Sequence, residues 1–234
     1  IIGGSGLVGS TLSEYALSDY DIHLTYNKNM PQNTKVKSTA IDLLDDRTKI
    51  TDLIKSLKPN VVVHTAAHPS VDICELNHKV ADTLHVDITQ DIVDICNKTD
   101  SKLIYLSTDA VFAGQLNKKY TEEDVPRPIN YYGKTKLSAE KIILNTSDNV
   151  VLRTSVIYGW HHRSRFTNWI LGSLKEKKLV DPFSDQYNTP TLVDDLVKSI
   201  IEIIRLQISG LYHATGKTCI NRYEFALDLA DKFG

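Results

Sequence analysis

The chain has 234 residues, 41% of them apolar, enough for one sizeable core or a large lobe with a small appended one. A formal net charge of −2 with interspersed signs leaves no basic footprint for nucleic acid or for an anionic membrane surface, so the expected partner is a small molecule. Cys74, Cys96 and Cys219 show neither paired metal spacing nor a disulfide framework, which fits a reducing compartment.

No apolar run approaches the roughly 18 residues of a membrane span, and no charged leader precedes an apolar signal core, so a cytoplasmic location is expected. Ile1 and Ile2 run directly into a glycine cluster without an initiator Met, and the opening strand is expected to be cut short.

Short β-branched runs then alternate with amphipathic stretches, the pattern of βαβ units around a parallel sheet. Strands are predicted at 21–26, 36–41, 61–66, 102–107 and 149–155, with helices at 8–18, 47–57, 86–98 and 129–145. After residue 158 the rhythm shifts to helices at 164–177, 192–206 and 221–232 joined by short extended pieces. The reading is an α/β chain: a Rossmann-type, doubly wound dinucleotide-binding domain over 1–158, and a smaller substrate-binding lobe over 159–234, incomplete and interleaved with the first. Ligands are expected at the carboxyl ends of the strands.

The opening Gly3-Gly4-Ser5-Gly6-Leu7-Val8-Gly9 places glycines three apart between a strand end and a helix. Backbone without Cβ turns tightly and approaches a pyrophosphate, whose charge is held by amides at the helix N-terminus, here Gly3, Gly6, Leu7 and Val8. A plain strand-to-helix turn reads the same glycines equally well. The second strand ends in Asn27, Lys28 and Asn29. A carboxylate for ribose hydroxyls is missing there and a cation is present, favouring the 2′-phosphate of NADP(H); the competing reading is a solvated loop lysine. Asp42 offers a carboxylate for the adenine amino group with Leu43 against the ring, and Ala66 and Ala67 complete the cofactor-binding set.

Tyr132 and Lys136 are four apart and share one helix face. They follow Ser107-Thr108-Asp109, the end of an apolar strand, so three groups from two loops are expected to meet where substrate sits. Ketone reduction puts negative charge on oxygen as hydride arrives, so a proton donor and a hydrogen-bond donor are required within reach. Tyr132 is the expected acid, Lys136 the ammonium that lowers the phenol's pKa and holds the nicotinamide ribose, and Thr108 the hydroxyl that orients the carbonyl. A surface Tyr and Lys with a strand-capping Thr is the plain alternative.

These residues resemble the dTDP-4-dehydrorhamnose reductase family of the extended short-chain dehydrogenases. The likeness is carried by the glycine loop, Ser107-Thr108-Asp109 with Val111-Phe112, the segment 120–141, Asp185-Gln186 with Pro190-Thr191, and Gly210-Leu211-Tyr212-His213 with Tyr223-Glu224-Phe225-Ala226. The resemblance implies an NADP(H)-preferring fold, the triad Thr108, Tyr132 and Lys136, a sugar-nucleotide substrate, and Val71, Asp109, Val156 and Gln186 beside it.

Several positions depart from the family pattern. Ala110 replaces an aromatic, Val156 a tryptophan, His64 and His85 asparagines, and His68 a tyrosine. Such proteins also usually continue past the last helix, so part of the substrate lobe is expected to be absent.

The segment 120–141 is similar as well to the methionine adenosyltransferase β regulatory subunit, which implies a second reading as a cofactor-binding regulator. No metal is expected: His161 and His162, read as an extended pair, point to opposite sides, and no ligand set is completed. The sequence leaves the oligomeric state open, a homodimer being one option.

Overall fold

The computed structural model describes residues 1–68, 70–115, 118–146 and 148–233. The first elements are α1 (Leu7–Ala16), β1 (His23–Tyr26), β2 (Lys37–Ala40), α2 (Thr48–Leu57) and β3 (Val61–His64). Next come α3 (Val71–Leu76), α4 (His78–Asp82), a π-turn (Thr83–Asp87), α5 (Ile88–Thr99), β4 (Lys102–Thr108), a 3₁₀ turn (Asp109–Val111) and α6 (Tyr131–Leu144). The remainder holds β5 (Val150–Thr154), β6 (Ile157–Tyr158), α7 (Arg165–Lys175), β7 (Tyr187–Asn188), β8 (Thr191–Leu192), α8 (Val193–Leu206), β9 (Gly210–His213), β10 (Ile220–Asn221) and α9 (Arg222–Phe233).

The sheet is parallel, with β1 beside β2 and with β3, β4, β5 and β9 in a row. Ile2 joins the two groups by bridging Thr25 and His64, so the order is β2-β1-Ile2-β3-β4-β5-β9. From Ile2 the chain first winds outward through β1 and β2, then returns to wind the other way from β3. The switch point therefore lies between Ile2 and β3, where a doubly wound sheet opens a crevice at its carboxyl edge. The fold is the Rossmann-type α/β architecture that the alternation predicts.

Burial follows from helices on both faces. In β4, Leu103 through Thr108 are all buried, the continuous pattern of a strand covered on both sides rather than the alternation of a half-exposed one. On one face α1 and α8 pack together, with Val8, Leu12, Val193, Leu196, Val197 and Ile200 forming apolar stripes at helical spacing. On the other, α2, α5 and α6 contribute Ile50, Ile54, Ile88, Ile92, Ala139 and Ile143. A third, smaller core joins Ile170 of α7 to Phe225, Ala226 and Leu229 of α9.

The chain beyond residue 158 is divided between these bodies. Helix α8 belongs to the main core, and β9 is the edge strand beside β5, whereas α7 and α9 make the small lobe. Two helices absent from the sequence prediction, α3 and α4, occupy 71–82. They are short and start at side-chain caps, Ser70 Oγ accepting from Ile73 N–H and Asn77 Oδ1 from Val80 N–H. The strand predicted to run to Ala66 stops at His64, because residues 65–68 leave the sheet.

Candidate active site

At the switch point Gly3 has φ +89, and a Cβ there would lie 2.7 Å from Thr65 Oγ1, 2.9 Å from Ala66 N and 3.1 Å from Ala66 Cα. Both the conformation and the space exclude a side chain. The glycine loop thus lies directly against the 65–67 loop, and α1 begins at Gly6 with no side-chain cap and no acid in its first turn. Its leading amides, on Leu7 and Val8, suit an anion. Asn27 and Lys28 follow β1 and are exposed; Asp42 and the buried Leu43 follow β2. Asp42 Oδ1 accepts from Leu44 N–H at 3.0 Å, an Asx-type turn that holds this carboxylate. Gly3, Gly6, Leu7, Val8, Asn27, Lys28, Asp42, Leu43, Ala66 and Ala67 all belong to segments that start at Ile2 or at the carboxyl ends of β1, β2 and β3.

Thr108 ends β4, and Tyr132 and Lys136 lie on the first two turns of α6. Asn130 caps that helix, its Oδ1 accepting from Gly133 N–H at 2.8 Å. Gly133 is needed because its Cα faces Ala110 O so closely that a Cβ would collide with it. This contact brings the Tyr132 turn up to the strand end, where the Tyr132 phenol lies near Thr108, whose Oγ1 donates to Asp109 Oδ1. The neighbouring Tyr131 is used otherwise: its ring stacks on His78 and its hydroxyl donates to the Asp82 carboxylate.

Lys136 is buried at 2% exposure, donates from Nζ to Leu106 O at 2.6 Å, and has its ammonium 3.9 Å from the centroid of the Tyr105 ring. Burial draws it down to about 7, opposed by Glu140. The expectation that this ammonium lowers the Tyr132 phenol is corrected. Burial pushes Tyr132 up to about 12, Thr108 pulls against the rise, and Asp109 and Cys74 reinforce it. Desolvation of the phenolate dominates, and Lys136 is not among the groups that move it, its Nζ being committed to Leu106 O.

Asp109 is a hub rather than a free substrate ligand. Its Oδ1 accepts from Thr108 Oγ1 at 3.2 Å, and its Oδ2 accepts from Ser155 Oγ at 2.5 Å and Asn188 Nδ2 at 2.9 Å. It ties the ends of β4, β5 and β7 together. Val156 follows directly with φ +43, a conformation that costs a β-branched side chain energy and marks a constrained turn. Val71 starts α3 at 40% exposure, and Gln186 is exposed just before β7. The residue of that segment touching Asp109 is Asn188, not Gln186; the sequence signal for the segment bracketed it without naming it. Ser155 was likewise missed, as was the buried Arg153–Glu140 ion pair, at 2.7 Å, whose carboxylate also accepts from Ser107 Oγ behind the triad.

The histidines divide. His64 and His85 are each 1% exposed and drawn down to about 3, first by burial and then by Lys136, so both are neutral. Both His64 ring nitrogens lack a hydrogen-bond partner among the described residues. The 161–163 segment is a turn, not extended, and the His161 and His162 ring centroids are 4.2 Å apart, correcting the opposed placement. Nδ1 of His161 accepts from Arg163 N–H, which folds the segment back. No group of three or more metal-ligating side chains occurs among the described residues, and no described helix is long and apolar enough to cross a membrane.

A glycine loop at a sheet switch point and a Thr/Tyr/Lys set at the next strand end define the class: a Rossmann-type chain of the extended short-chain dehydrogenase kind. The pattern of the RmlD substrate binding domain matches residues 1–234, and the chain belongs to that family. It is 30% identical over 216 residues to a dTDP-4-dehydrorhamnose reductase from Aggregatibacter actinomycetemcomitans, covering 88% of this chain and 73% of that protein. It is 31% identical over 244 residues to methionine adenosyltransferase 2 subunit beta of Rattus norvegicus, covering 100% of this chain and 71% of that one. The crystal structure of a hypothetical dTDP-4-dehydrorhamnose reductase from Sulfolobus tokodaii superposes with a TM-score of 0.90 at 33% identity, covering 100% of this chain and 81% of that one.

Proposed function

We propose that this protein is an NADPH-dependent reductase of a nucleotide-linked 4-keto-6-deoxysugar. The single observation that carries this reading is the convergence of Tyr132 and Thr108 at the end of β4, with Lys136 buried one helical turn on.

The cradle fits a dinucleotide: Gly3 leaves no room for a side chain beside Ala66, and the α1 amides are open. Gly3, Gly6, Leu7 and Val8 would hold the pyrophosphate, Asn27 and Lys28 the 2′-phosphate, Asp42 and Leu43 the adenine, and Ala66, Ala67, Tyr132 and Lys136 the nicotinamide half. When bound, the cofactor supplies a hydride to the ketone carbon.

The chain's own groups manage the oxygen. Thr108 orients the carbonyl and shares its developing charge. Tyr132, still protonated at neutral pH because burial holds its phenol high, gives its proton to that oxygen as the alkoxide forms. Lys136, whose Nζ is anchored on Leu106 O, would hold the nicotinamide ribose beside that phenol. Val71, Asp109, Val156 and Gln186 would border the sugar nucleotide, Asp109 by fixing the floor rather than by direct contact. Purified protein mixed with NADPH and a dTDP-4-keto-6-deoxysugar should consume absorbance at the nicotinamide band; loss no greater than that of a Tyr132→Phe control would remove the reading.

The second reading is a cofactor-binding regulatory subunit, favoured by one observation: the likeness to a methionine adenosyltransferase β subunit spans the whole chain. An intact triad does not by itself establish turnover. A stoichiometric complex with a methionine adenosyltransferase catalytic chain, together with no ketone reduction, would favour it.

A further inference from the structure

We propose that His85, held as its neutral Nδ1–H tautomer, is a positioning residue that locks the Tyr132 turn of α6 to the 65–68 loop flanking the glycine cradle. The inference rests on the reductase reading for its consequence in catalysis, but its geometry is independent of it.

His85 lies in the π-turn before α5, where the wider spiral, closed by Ile88 N–H donating to Thr83 O, sets its ring between two segments remote in sequence. On one side His68 N–H donates to His85 Nε2 at 3.0 Å. On the other, His85 Nδ1 lies 2.8 Å from Thr135 Oγ1. Thr135 in turn donates to Tyr132 O at 2.9 Å. The His85 ring stands edge-on to the Tyr132 ring, centroids 5.5 Å apart at 82°.

The bond directions leave one solution. A backbone N–H only donates, so Nε2 must accept. The single hydrogen of a neutral imidazole is then on Nδ1 and points at Thr135, whose own hydrogen is spent on the Tyr132 carbonyl. Donation therefore runs one way, from His85 to Thr135 to Tyr132. The opposite tautomer, or a protonated ring, would set an N–H against the His68 N–H. The opposite tautomer would also require Thr135 to turn its hydrogen away from Tyr132. His85 and Thr135 are 1% and 3% exposed, so water does not take over a lost partner. Burial, reinforced by the nearby Lys136 ammonium, disfavours the charged ring.

What is joined matters for reduction. The 65–68 loop contains Ala66, whose backbone packs against Gly3, and Tyr132 carries the acid. His85 thereby fixes how far the proton donor stands from the wall of the cofactor cradle, without touching either reactant.

The test uses the full chain. With ¹⁵N-labelled histidine at neutral pH, long-range ¹H–¹⁵N correlation should report a neutral Nδ1–H ring for the signal that disappears in His85→Gln. An Nε2–H or protonated ring would overturn the proposal. His85→Leu, which keeps bulk but neither bond, should weaken NADPH binding in a fluorescence titration about tenfold and lower kcat by a similar factor. His85→Gln, with one donor and one acceptor, should restore both to within about threefold. Equal loss in the two variants, or none in His85→Leu, would overturn the positioning role. A wild-type chain that binds no NADPH would defeat the reductase reading alone, leaving the tautomer to be decided by the spectrum.

Discussion

The two sides of the crevice are built differently. The proposed cofactor side consists of backbone and of neutral groups under the sheet edge: Gly3 against Ala66, the α1 amides, and His85 bridging His68 and Thr135. The proposed sugar side is gathered around one carboxylate, Asp109, on which Ser155 and Asn188 converge, beside the constrained Val156 and the exposed Val71 and Gln186. A cradle made of backbone geometry accepts little variation, whereas a wall hung from a single hub can change its lining without disturbing the sheet. The proposed chemistry would fall at the seam between them, where Thr108 donates to Asp109 and lies near Tyr132.

The seam should be the most sensitive place. Tyr132→Phe removes the proton donor and only one hydroxyl of the groups proposed to hold the cofactor, so kcat should fall about 10²- to 10⁴-fold while NADPH affinity stays within about threefold. Rapid-mixing turnover and a binding titration check the two halves of this statement. Comparable losses in both would mean that the seam is not separable from the cradle.

Asp109→Ala should separate the sides. It strands the Ser155 hydroxyl and the Asn188 amide, and kcat/KM for the sugar nucleotide should fall roughly 10- to 100-fold with NADPH binding nearly unchanged. Steady-state kinetics with each substrate varied in turn reads this split.

On the cofactor side Lys28→Glu should weaken NADPH binding about tenfold and leave NADH binding unaltered, as a charge contact to the 2′-phosphate requires. Equal effects on both dinucleotides would return Lys28 to a solvated loop residue.

The smallest effect concerns stability. Lys136 is drawn from its ordinary 10.5 to about 7 by burial. Between those values the unfolded chain binds a proton that the folded chain has released, so the unfolding free energy rises with pH across that window. Between pH 7 and 9 the gain should be on the order of 1–2 kcal/mol in urea denaturation, and Lys136→Met should flatten it. His64 and His85 act in the acid range: both are drawn from 6.5 to about 3, so stability falls as pH drops below 6.5.

The sides also differ in how far they could be read from sequence. The place of the glycine loop at the sheet edge was legible because its parts are local: a run of glycines between a strand and a helix. Tyr132 and Lys136 were legible because four residues span one helical turn. The hub was not, since Asp109, Ser155 and Asn188 meet only after β5 and β7 return to the same edge. The assignment of α8 and β9 to the main body was hidden for the same reason, their apolar pattern fitting either lobe. The direction of the Tyr132 shift required burial to be known, because a lysine four residues away lowers a phenol only if its ammonium is free to face it.

Proton donation by Tyr132 to a C4 oxygen is tested by a crystal structure with NADP⁺ and a dTDP-linked deoxysugar bound together. The Tyr132 phenol and the Thr108 hydroxyl should both lie within about 2.6–3.2 Å of the sugar's C4 oxygen, with Lys28 at the 2′-phosphate. A bound sugar whose C4 oxygen is out of reach of Tyr132, with the phenol directed away from the nicotinamide, would contradict it.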